Sequence, residues 1–500
     1  MKDLSQTLLA AQKSASRRPY VTLTATNKIA GVVRPKYERL YTGSETDGFH
    51  ALTVADDGSL IRLRVTPPSD NRRLLRQRVV NPGPESDFSQ WVDTGRYDVL
   101  AVAACTLGST VSVFWIEGDR SIHHRKSTDN GATWGTVESI GSTTSAAASG
   151  ITAAYKNNGD IGVFFTDMEM LYFIKCTSGS WQPETTWDKT TGYLSGVGCL
   201  YDGDWNFLVT GRDAEGNYRL WSLVYGDGAS IPAGTWSDLE ELVTATAPAG
   251  YEYIQPFMAK ADVIRSSFVE KFTGTAPYSR PYTMNIVPGS SFAEGRWSEP
   301  LPFNLSGEFG LAYGYHQGCL WLTCPFAVFR ADLSEVAIDL SGDVLAIKEE
   351  LAEGESELIV ELVNGDGRYA SAGTGSFSVL DVGYGLEVGF GYITTNGVET
   401  GIATGFRLEA LEHVSGGGKA VLTLHASGGW EALSDWRAHT QFRWNESGGE
   451  TVSVKDILTF VLGRAGIPLE VKSESAAIAG FFPISQSTPE TTVAESSVSF

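Results

Sequence analysis

Arginine, tyrosine and glutamate side chains in the middle of the chain could together act on an acidic substrate. Guanidinium groups pair with carboxylates through two parallel hydrogen bonds, and a tyrosine beside a glutamate can serve as a nucleophile. The candidates are Arg212, Arg265 and Arg280, with Tyr253 and Glu270 near them in sequence. Their spacing does not distinguish them from surface residues, so the sequence assigns no catalytic residue.

Ligand binding without catalysis is the second chemistry that these residue types allow. The rings of Trp205, Tyr253 and Tyr313 could stack on sugars, while Arg212 and Arg265 could bond to polar groups. Aromatic residues in strand-like runs more often fill a core, so that alternative stays open for each. We predict ligand contacts from Trp205, Arg212, Tyr253 and Arg265.

Metal ligands at a suitable spacing are not apparent. His123 and His124 are adjacent in a strand-like run without a third ligand, and Asp202-Gly203-Asp204 and Asn364-Gly365-Asp366-Gly367 fit hairpin turns better than calcium loops. The cysteines follow no CxxC pattern, and most lie in apolar runs that predict buried thiols. They are Cys105, Cys176, Cys199, Cys319 and Cys324. The sequence therefore predicts no metal and no cofactor.

The most specific motif is Ser127-Thr128-Asp129-Asn130-Gly131-Ala132-Thr133-Trp134, which fits S-x-D-x-G-x-T-W. In a hairpin turn, serine and aspartate side chains can accept from nearby backbone N–H groups, glycine can adopt a positive φ, and tryptophan can fill the space between strands. The motif resembles the Asp-box of sialidases and related propellers. This resemblance implies structural roles for Ser127, Asp129, Gly131, Thr133 and Trp134.

A repeat organises the first two thirds of the chain. Tryptophans recur at intervals of 43, 47, 55 and 61 residues, each after three strand-like runs. The intervals are near the period of propeller blades, so these residues are predicted to close the blades. They are Trp91, Trp134, Trp181, Trp236 and Trp297.

A sixth unit, FGLAYGYHQGCLWLTCPFAVFRADLS, lacks the closing tryptophan strand. A strand from the N-terminal segment Tyr20–Tyr41 could complete it and leave no exposed edge, or the run PYVTLTAT could belong to the C-terminal domain instead. We predict an N-terminal arm with a short helix over residues 1–19 and a six-bladed propeller over residues 20–331.

The last third of the chain has a different pattern. Long runs alternate apolar and polar residues and are separated by glycine-rich turns, as in SELIVELVN, GLEVGFGYIT and KAVLTLHAS. This period of two predicts an antiparallel β sandwich or barrel over residues 332–475. GWEALSDWRA and TVSVKDILTFVLGRAGI predict one or two short helices, and residues 476–500 form a polar tail.

Charge is unevenly distributed. The net charge is −21, of which −16 lies beyond residue 330. Such a surface repels phosphates, so tight nucleic-acid binding is not expected, although the acidity also suits ordinary solubility. Neither a signal peptide nor an apolar run of membrane-spanning length is apparent, so we expect synthesis in the host cytoplasm and no membrane span.

The C-terminal pattern resembles the tube-like β domain of hub and distal-tail proteins of phage tails. The resemblance covers ELVNGDGRY, GLEVGFGY, GFRLEALEH, LTLHASGGWEAL and the final helix pattern. It implies a ring of copies of this chain, other tail or baseplate proteins as partners, and a place in the virion. The propeller would then project outward, where a glycan or protein on the host surface is a candidate ligand.

The alternatives are a sialidase-like glycoside hydrolase and a soluble glycan-binding lectin. The early arginine motif that the sialidase resemblance calls for does not occur at its expected position. We therefore expect a structural virion protein, with an all-β fold of about six propeller blades and a C-terminal β domain.

Overall fold

The computed structural model describes most of the chain. The described residues are 13, 18–29, 32–45, 48–143, 150–166, 170–182, 185–188, 193–244, 251–272, 278–286, 292, 297–298, 300–303, 305, 310–352, 355–365, 367, 369, 380–394, 397–401, 404–416, 419–429, 457–458 and 461–462. They fall into a propeller unit, Pro35–Leu333, and a β-sheet unit formed by Met1–Arg34 and Ser334–Phe500. Almost all of the regular structure in both units is β-strand.

Six antiparallel sheets form the blades of the propeller unit. Each blade contains four strands, apart from blade 3, which has five. Blade 1 contains β5 (His50–Val54), β6 (Leu60–Val65), β7 (Leu74–Val79) and β8 (Val92–Asp93); blade 2 contains β9 (Val99–Leu107), β10 (Thr110–Glu117), β11 (Ser121–Ser127) and β12 (Val137–Ser142); blade 3 contains β13 (Gly150–Tyr155), β14 (Ile161–Thr166), β15 (Met170–Thr177), β16 (Ser180–Trp181) and β17 (Thr185–Asp188). Blade 4 contains β18 (Tyr193–Tyr201), β19 (Trp205–Arg212), β20 (Tyr218–Tyr225) and β21 (Glu240–Thr244); blade 5 contains β22 (Tyr251–Lys260), β23 (Ile264–Phe272), β24 (Tyr278–Asn285) and β25 (Leu301–Pro302).

Blade 6 closes the ring. Its strands β26 (Ala312–His316), β27 (Cys319–Cys324) and β28 (Ala327–Asp332) are completed by β4 (Glu38–Thr42) from the start of the unit. Val328 lies opposite Tyr41 and Arg330 opposite Glu38. The prediction of six blades is confirmed. The strand that closes the ring begins at Glu38, so the propeller begins later in the chain than the predicted boundary at residue 20.

The β-sheet unit contains one antiparallel sheet in the order β29-β1-β32-β34-β35-β31-β30, with β33 paired to β32. Strands β2 and β3, which follow β1 along the chain, form a separate two-stranded sheet. The strands are β1 (Arg18–Thr26), β2 (Lys28–Ile29), β3 (Val32–Val33), β29 (Ala337–Asp339), β30 (Val344–Ala352), β31 (Glu355–Val363), β32 (Gly385–Thr394), β33 (Gly397–Thr400), β34 (Thr404–Gly416) and β35 (Lys419–Ser427). The described strands of this unit form a single sheet, whose end strands β29 and β30 each pair on one side only.

The core of the β-sheet unit follows from the alternation in its strands. Leu358, Val360 and Leu362 of β31 are fully buried, whereas Glu357 and Glu361, which alternate with them, are exposed. They share one cluster with Leu23 of β1 and with residues of β32, β34 and β35. Strands from across the sheet therefore surround a single core, and the N-terminal strand is part of it.

Strand β1 pairs along its whole length with β32, from Arg18 opposite Ile393 to Thr26 opposite Gly385. The propeller unit is thus inserted in sequence between two segments of the β-sheet unit. Two short 3-10 helices also occur, at Pro68–Asp70 and Ser341–Asp343. Among the described residues, no helix is long and apolar enough to cross a membrane. The predicted N-terminal helix and the polar tail lie outside the described residues, as do nearly all of the two predicted C-terminal helices.

Candidate functional site

A cavity on the axis of the propeller is the candidate site. The first strands of all six blades line it, and its volume is about 310 Å³. That volume lies at the lower end of the range of about 300–1,000 Å³ that is usual for small-molecule pockets. The lining comes from the C-terminal halves of these strands, so the cavity lies toward the turns that join the first and second strands of each blade. We call this side of the propeller the Asp-box face.

The cavity wall is largely uncharged. Cys105 and Cys199 contribute thiols whose pKa burial raises, so they stay protonated at neutral pH. The hydroxyls of Thr53 and Thr106 bond to each other across blades 1 and 2. The Thr152 hydroxyl accepts from the backbone N–H of Cys199. All five cysteines are free, and four are buried, as predicted for structural thiols.

Two ion pairs stand at the mouth of the cavity. Lys156 Nζ lies 2.6 Å from Asp227 Oδ2, and Lys260 pairs with Asp202. The Tyr201 hydroxyl also donates to Asp227 Oδ2, at 2.8 Å. Burial, reinforced by this carboxylate, raises the pKa of Tyr201 to about 12, so the phenol remains a donor. Each lysine at the mouth thus has an aspartate partner, and the two pairs together carry no net charge.

The loop that carries Asp227 is held by a buried carboxylate. Asp204 is 1% exposed, and its oxygens accept from the backbone N–H groups of Asp227, Gly228, Ala229 and Ser230 at 2.6–3.1 Å. Burial opposes the ionisation of Asp204, but these donors and the Ser230 hydroxyl outweigh it and lower its pKa to about 2. Asp202-Gly203-Asp204 is therefore a turn that positions Asp227. No cluster of three metal-ligating side chains occurs among the described residues.

An exposed aromatic ring completes the mouth. Tyr315 of β26 lines the cavity and is 38% exposed. Sequence analysis did not assign Tyr315, Tyr201 or the four charged residues of the mouth to a ligand site. A signal was available in the sequence, because a charged residue occurs at the end of the first strand in three consecutive blades. Lys156 and Asp202 directly follow their strands, and Lys260 is the last residue of its strand.

The Asp-box forms the turn that its sequence indicates. Ser127 Oγ accepts from the Gly131 N–H at 2.9 Å, and the Asp129 carboxylate accepts from Thr133 N at 2.8 Å and Thr133 Oγ1 at 2.6 Å. Gly131 has a φ of 78°. Trp134 Nε1 donates to Gly131 O at 3.0 Å. The turn joins the third and fourth strands of blade 2.

The five repeated tryptophans lie within the fourth strand of their blades or up to four residues before it, and four of them pack against the preceding blade. Arg76 of blade 1 lies over Trp134, and Phe114 and His124 of blade 2 face Trp181 edge-on. Trp236 meets Trp187 of blade 3, and Trp297 shares a cluster with Leu208 and Leu220 of blade 4. Trp91 lies beneath Arg62 and Arg64 of its own blade. The tryptophan repeat thus marks the seams between blades.

The residues predicted to bind a ligand are mostly buried. Trp205 is 1% exposed and Tyr253 2% exposed, and both belong to clusters between blades. Arg265 is 5% exposed and makes two hydrogen bonds to Asp262. Arg212 is exposed and lies 4.2 Å from the ring centroid of Tyr218. Buried rings present no face for stacking on a sugar. Trp205 and Tyr253 are therefore core residues, which is the alternative that the sequence left open, and so is Tyr313, which is 6% exposed.

The candidate arginines are not brought together. Arg265 begins a second strand on the Asp-box face, whereas Arg212 ends a second strand on the opposite face, in a different blade. Tyr253, Glu270 and Arg280 do lie in one row across β22, β23 and β24. Tyr253 is buried at one end of this row, however, whereas Arg280 is exposed at the other. The structure thus places no cluster of the three arginines around a substrate carboxylate.

His124 takes part in a hydrogen-bonded chain that sequence analysis did not predict. Its Nδ1 lies 3.4 Å from Glu138 Oε2 and its Nε2 lies 2.9 Å from Ser112 Oγ. Ser112 Oγ in turn lies 2.8 Å from the Tyr155 hydroxyl in the wall of the cavity. The order carboxylate–imidazole–hydroxyl matches that of a hydrolytic triad, but Ser112 is fully buried. Burial closes it to substrates, so the chain joins blades 2 and 3 instead.

The fold and this axial cavity define the chain as a protein with a six-bladed β-propeller. No protein-family model and no curated protein matches it. Similar solved structures include AofleA from Arthrobotrys oligospora, with 9% identity over 66% of this chain and 95% of that chain, at a TM-score of 0.38. The Hadza microbial sialidase Hz136 has 12% identity over 58% and 66% of the two chains, also at 0.38. A variant of Aleuria aurantia lectin in complex with alpha-methyl-L-fucoside has 10% identity over 73% and 96%, at 0.34. These similarities are too low to assign a function.

Proposed function

We propose that the chain is a glycan-binding protein that holds a sugar at the mouth of the axial cavity. The observation that carries the proposal is the combination of a concave site of about 310 Å³ with an exposed tyrosine and two lysine–aspartate pairs at its mouth. A pocket with a mainly uncharged wall and a few fixed polar groups is typical of small-molecule binding. The proposal concerns binding and includes no reaction.

A neutral sugar fits the charges of this mouth. Sugar hydroxyls both donate and accept hydrogen bonds, and the paired ammonium and carboxylate groups supply both functions side by side. Because Asp227 neutralises Lys156 and Asp202 neutralises Lys260, an acidic sugar would find no uncompensated positive charge. The ring of Tyr315 offers an apolar surface for the face of a pyranose. We therefore expect neutral oligosaccharides to bind there in preference to sialylated ones.

The test is binding of the full chain to a glycan array, followed by calorimetry with the neutral glycans that bind. Replacing Tyr315 with alanine should weaken binding about ten-fold or more, because the stacking surface is lost. Tyr97→Ala is the matched control, since Tyr97 is also exposed, at 53%, and lies outside the cavity. Equal affinities for Tyr315→Ala and the unaltered chain would contradict a site at the cavity mouth. No binding to any neutral glycan would reject the function itself.

A structural role in a phage tail stays a separate proposal, with the virion as its location. Its support is the sequence resemblance together with one structural observation. Strands β30 and β29 each pair on one side only among the described strands, so their outer edges could pair with neighbouring copies. Mass spectrometry and electron microscopy of particles purified from the source test this role. A ring of copies at a tail tip would support it, and absence of the chain from every particle would reject it.

A further inference from the structure

Two arginines flank the last residues of the Asp-box on the outer side of the propeller. The guanidinium carbon of Arg76 in β7 lies 4.9 Å from the ring centroid of Trp134. Arg125 Nε in β11 donates to the carbonyl oxygen of the next residue, Gly135, at 2.8 Å. Since β7 belongs to blade 1 and β11 to blade 2, one positive charge comes from each side of the seam.

Neither arginine has a carboxylate partner among the described residues. Other arginines of blade 1 do have one: Arg72 pairs with Asp98, Arg73 with Asp70, and Arg78 with Asp57. Burial lowers the pKa of Arg76, and the charge of Arg125 lowers it further, although a guanidinium stays a cation in proteins. Two partly buried like charges without a counter-ion are unfavourable. The chain has a net charge of −21, so acidic residues are plentiful, yet none of the described ones pairs with Arg76 or Arg125.

The position is also held rigidly. The Asp-box hydrogen bonds fix the backbone that carries Trp134, and the indole N–H is bonded to Gly131 O. Arg78 reinforces the turn from blade 1, because its Nε donates to Asn130 O at 2.7 Å. The indole ring therefore presents a fixed face to Arg76. A preorganised guanidinium loses little freedom when it binds an anion.

We propose that Arg76, Arg125 and Trp134 form an oxyanion-binding site at the seam between blades 1 and 2, which takes the carboxylate or sulfate group of an acidic sugar. A planar guanidinium pairs with two oxygens of either group. Val92, which is exposed and lies opposite Arg76 on the neighbouring strand, offers an apolar surface for the sugar ring beside the half-buried indole. This site is independent of the axial cavity, so each of the two proposals can fail without the other.

The test is calorimetry of the full chain with methyl β-glucuronide, glucose 6-sulfate, inorganic sulfate and, as the neutral reference, methyl β-glucoside. Methyl β-glucoside reports on the axial cavity and should bind every variant equally, whereas both acidic sugars should also bind at this seam. Replacing Arg76 or Arg125 with glutamine should weaken that binding about ten-fold or more, because a charge-assisted hydrogen bond is lost. Lysine at either position should restore part of it. Arg330→Gln is the matched control, since the guanidinium carbon of Arg330 also lies over a tryptophan ring, 5.8 Å from the centroid of Trp321, but in blade 6.

The outcomes separate clearly. Loss in the two glutamine variants with retention in Arg330→Gln supports the site, and competition by inorganic sulfate shows that the oxyanion alone is recognised. Sulfate that fails to compete shows that the sugar ring contributes, and also supports the site. Equal affinity of the acidic sugars for Arg76→Gln, Arg125→Gln and the unaltered chain overturns the proposal. Thermal unfolding of every variant distinguishes lost binding from lost folding.

Discussion

Individual side chains set the local geometry of the Asp-box, and Asp129 has the largest part. Its carboxylate accepts from the hydroxyl and backbone N–H of Thr133 and from the Ser127 hydroxyl. These hydrogen bonds, that from the Thr133 hydroxyl foremost, lower the pKa of Asp129 from 3.8 to about 2. The ionised form is thus favoured in the folded protein relative to the unfolded chain.

This pKa shift predicts an acid-dependent stability. A carboxyl whose folded pKa lies below its unfolded value stabilises the fold above the unfolded pKa, and the stabilisation is lost as the pH falls through the folded pKa. Asp129→Asn should therefore lower the melting temperature at pH 7, and its difference from the unaltered chain should shrink between pH 4 and about pH 2. Calorimetric scans across this range check it. Glu215→Gln, in an exposed turn, is the control, and a difference that does not depend on pH would contradict the assignment.

At the scale of elements, contacts between blades depend on a few buried polar groups. Arg62 in the second strand of blade 1 is 2% exposed, and its guanidinium donates to Gln77 Oε1 at 2.7 Å. It also donates to the carbonyl oxygens of Cys324 and Pro325, at 2.9 and 3.0 Å, in the turn between β27 and β28 of blade 6. Burial lowers the pKa of Arg62 to about 10, so the group is still charged at neutral pH. Arg62 thus bonds the first blade to the last one.

Replacing Arg62 with methionine should open this seam. The apolar side chain fills a similar space but leaves buried carbonyl groups without donors, so we expect the free energy of unfolding of the propeller to fall by about 3 kcal/mol. Urea unfolding followed by tryptophan fluorescence measures the change. Arg39→Met in the exposed part of β4 should cost less than about 0.5 kcal/mol. A similar loss for both variants would show that Arg62 has no special role in closure.

At the scale of the whole molecule, the chain alternates between its two units. The strand Arg18–Thr26 belongs to the β-sheet unit, the chain then forms the propeller, and it returns to the β-sheet unit at Ser334. All strands that the propeller needs, including the closing strand Glu38–Thr42, lie between Pro35 and Leu333. The inserted segment therefore contains a complete ring.

A fragment of residues 35–333 should accordingly fold alone as a monomeric propeller. A fragment of residues 43–333 lacks the closing strand and leaves β28 with an open edge, so it should melt at a lower temperature and self-associate. Circular dichroism, thermal unfolding and size-exclusion chromatography compare the two. Equal stability of both fragments, or failure of the longer one to fold, would contradict the role of β4 in closing the ring.

Sequence by itself determined the all-β class, the number of blades and the Asp-box turn. These features follow from short-range patterns: side chains alternate along a strand, turn residues lie within a few positions of their partners, and a tryptophan marks the fourth strand in five of the six blades. The packing role of Trp134 and Trp181 and the alternating core of β31 can therefore be predicted from patterns among nearby residues in the sequence.

Tertiary structure alone decided where the distant segments meet. The Thr22 hydroxyl bonds to the Gly389 carbonyl across 367 residues of sequence, and no local pattern encodes that partner. The same limit explains why Trp205 and Tyr253 were assigned to a ligand although they are buried, and why Tyr201, Lys156 and Asp227 were missed. Period and spacing show which residues share a strand face. Burial and charge pairing depend on which blade faces them, and that is fixed only when the ring closes.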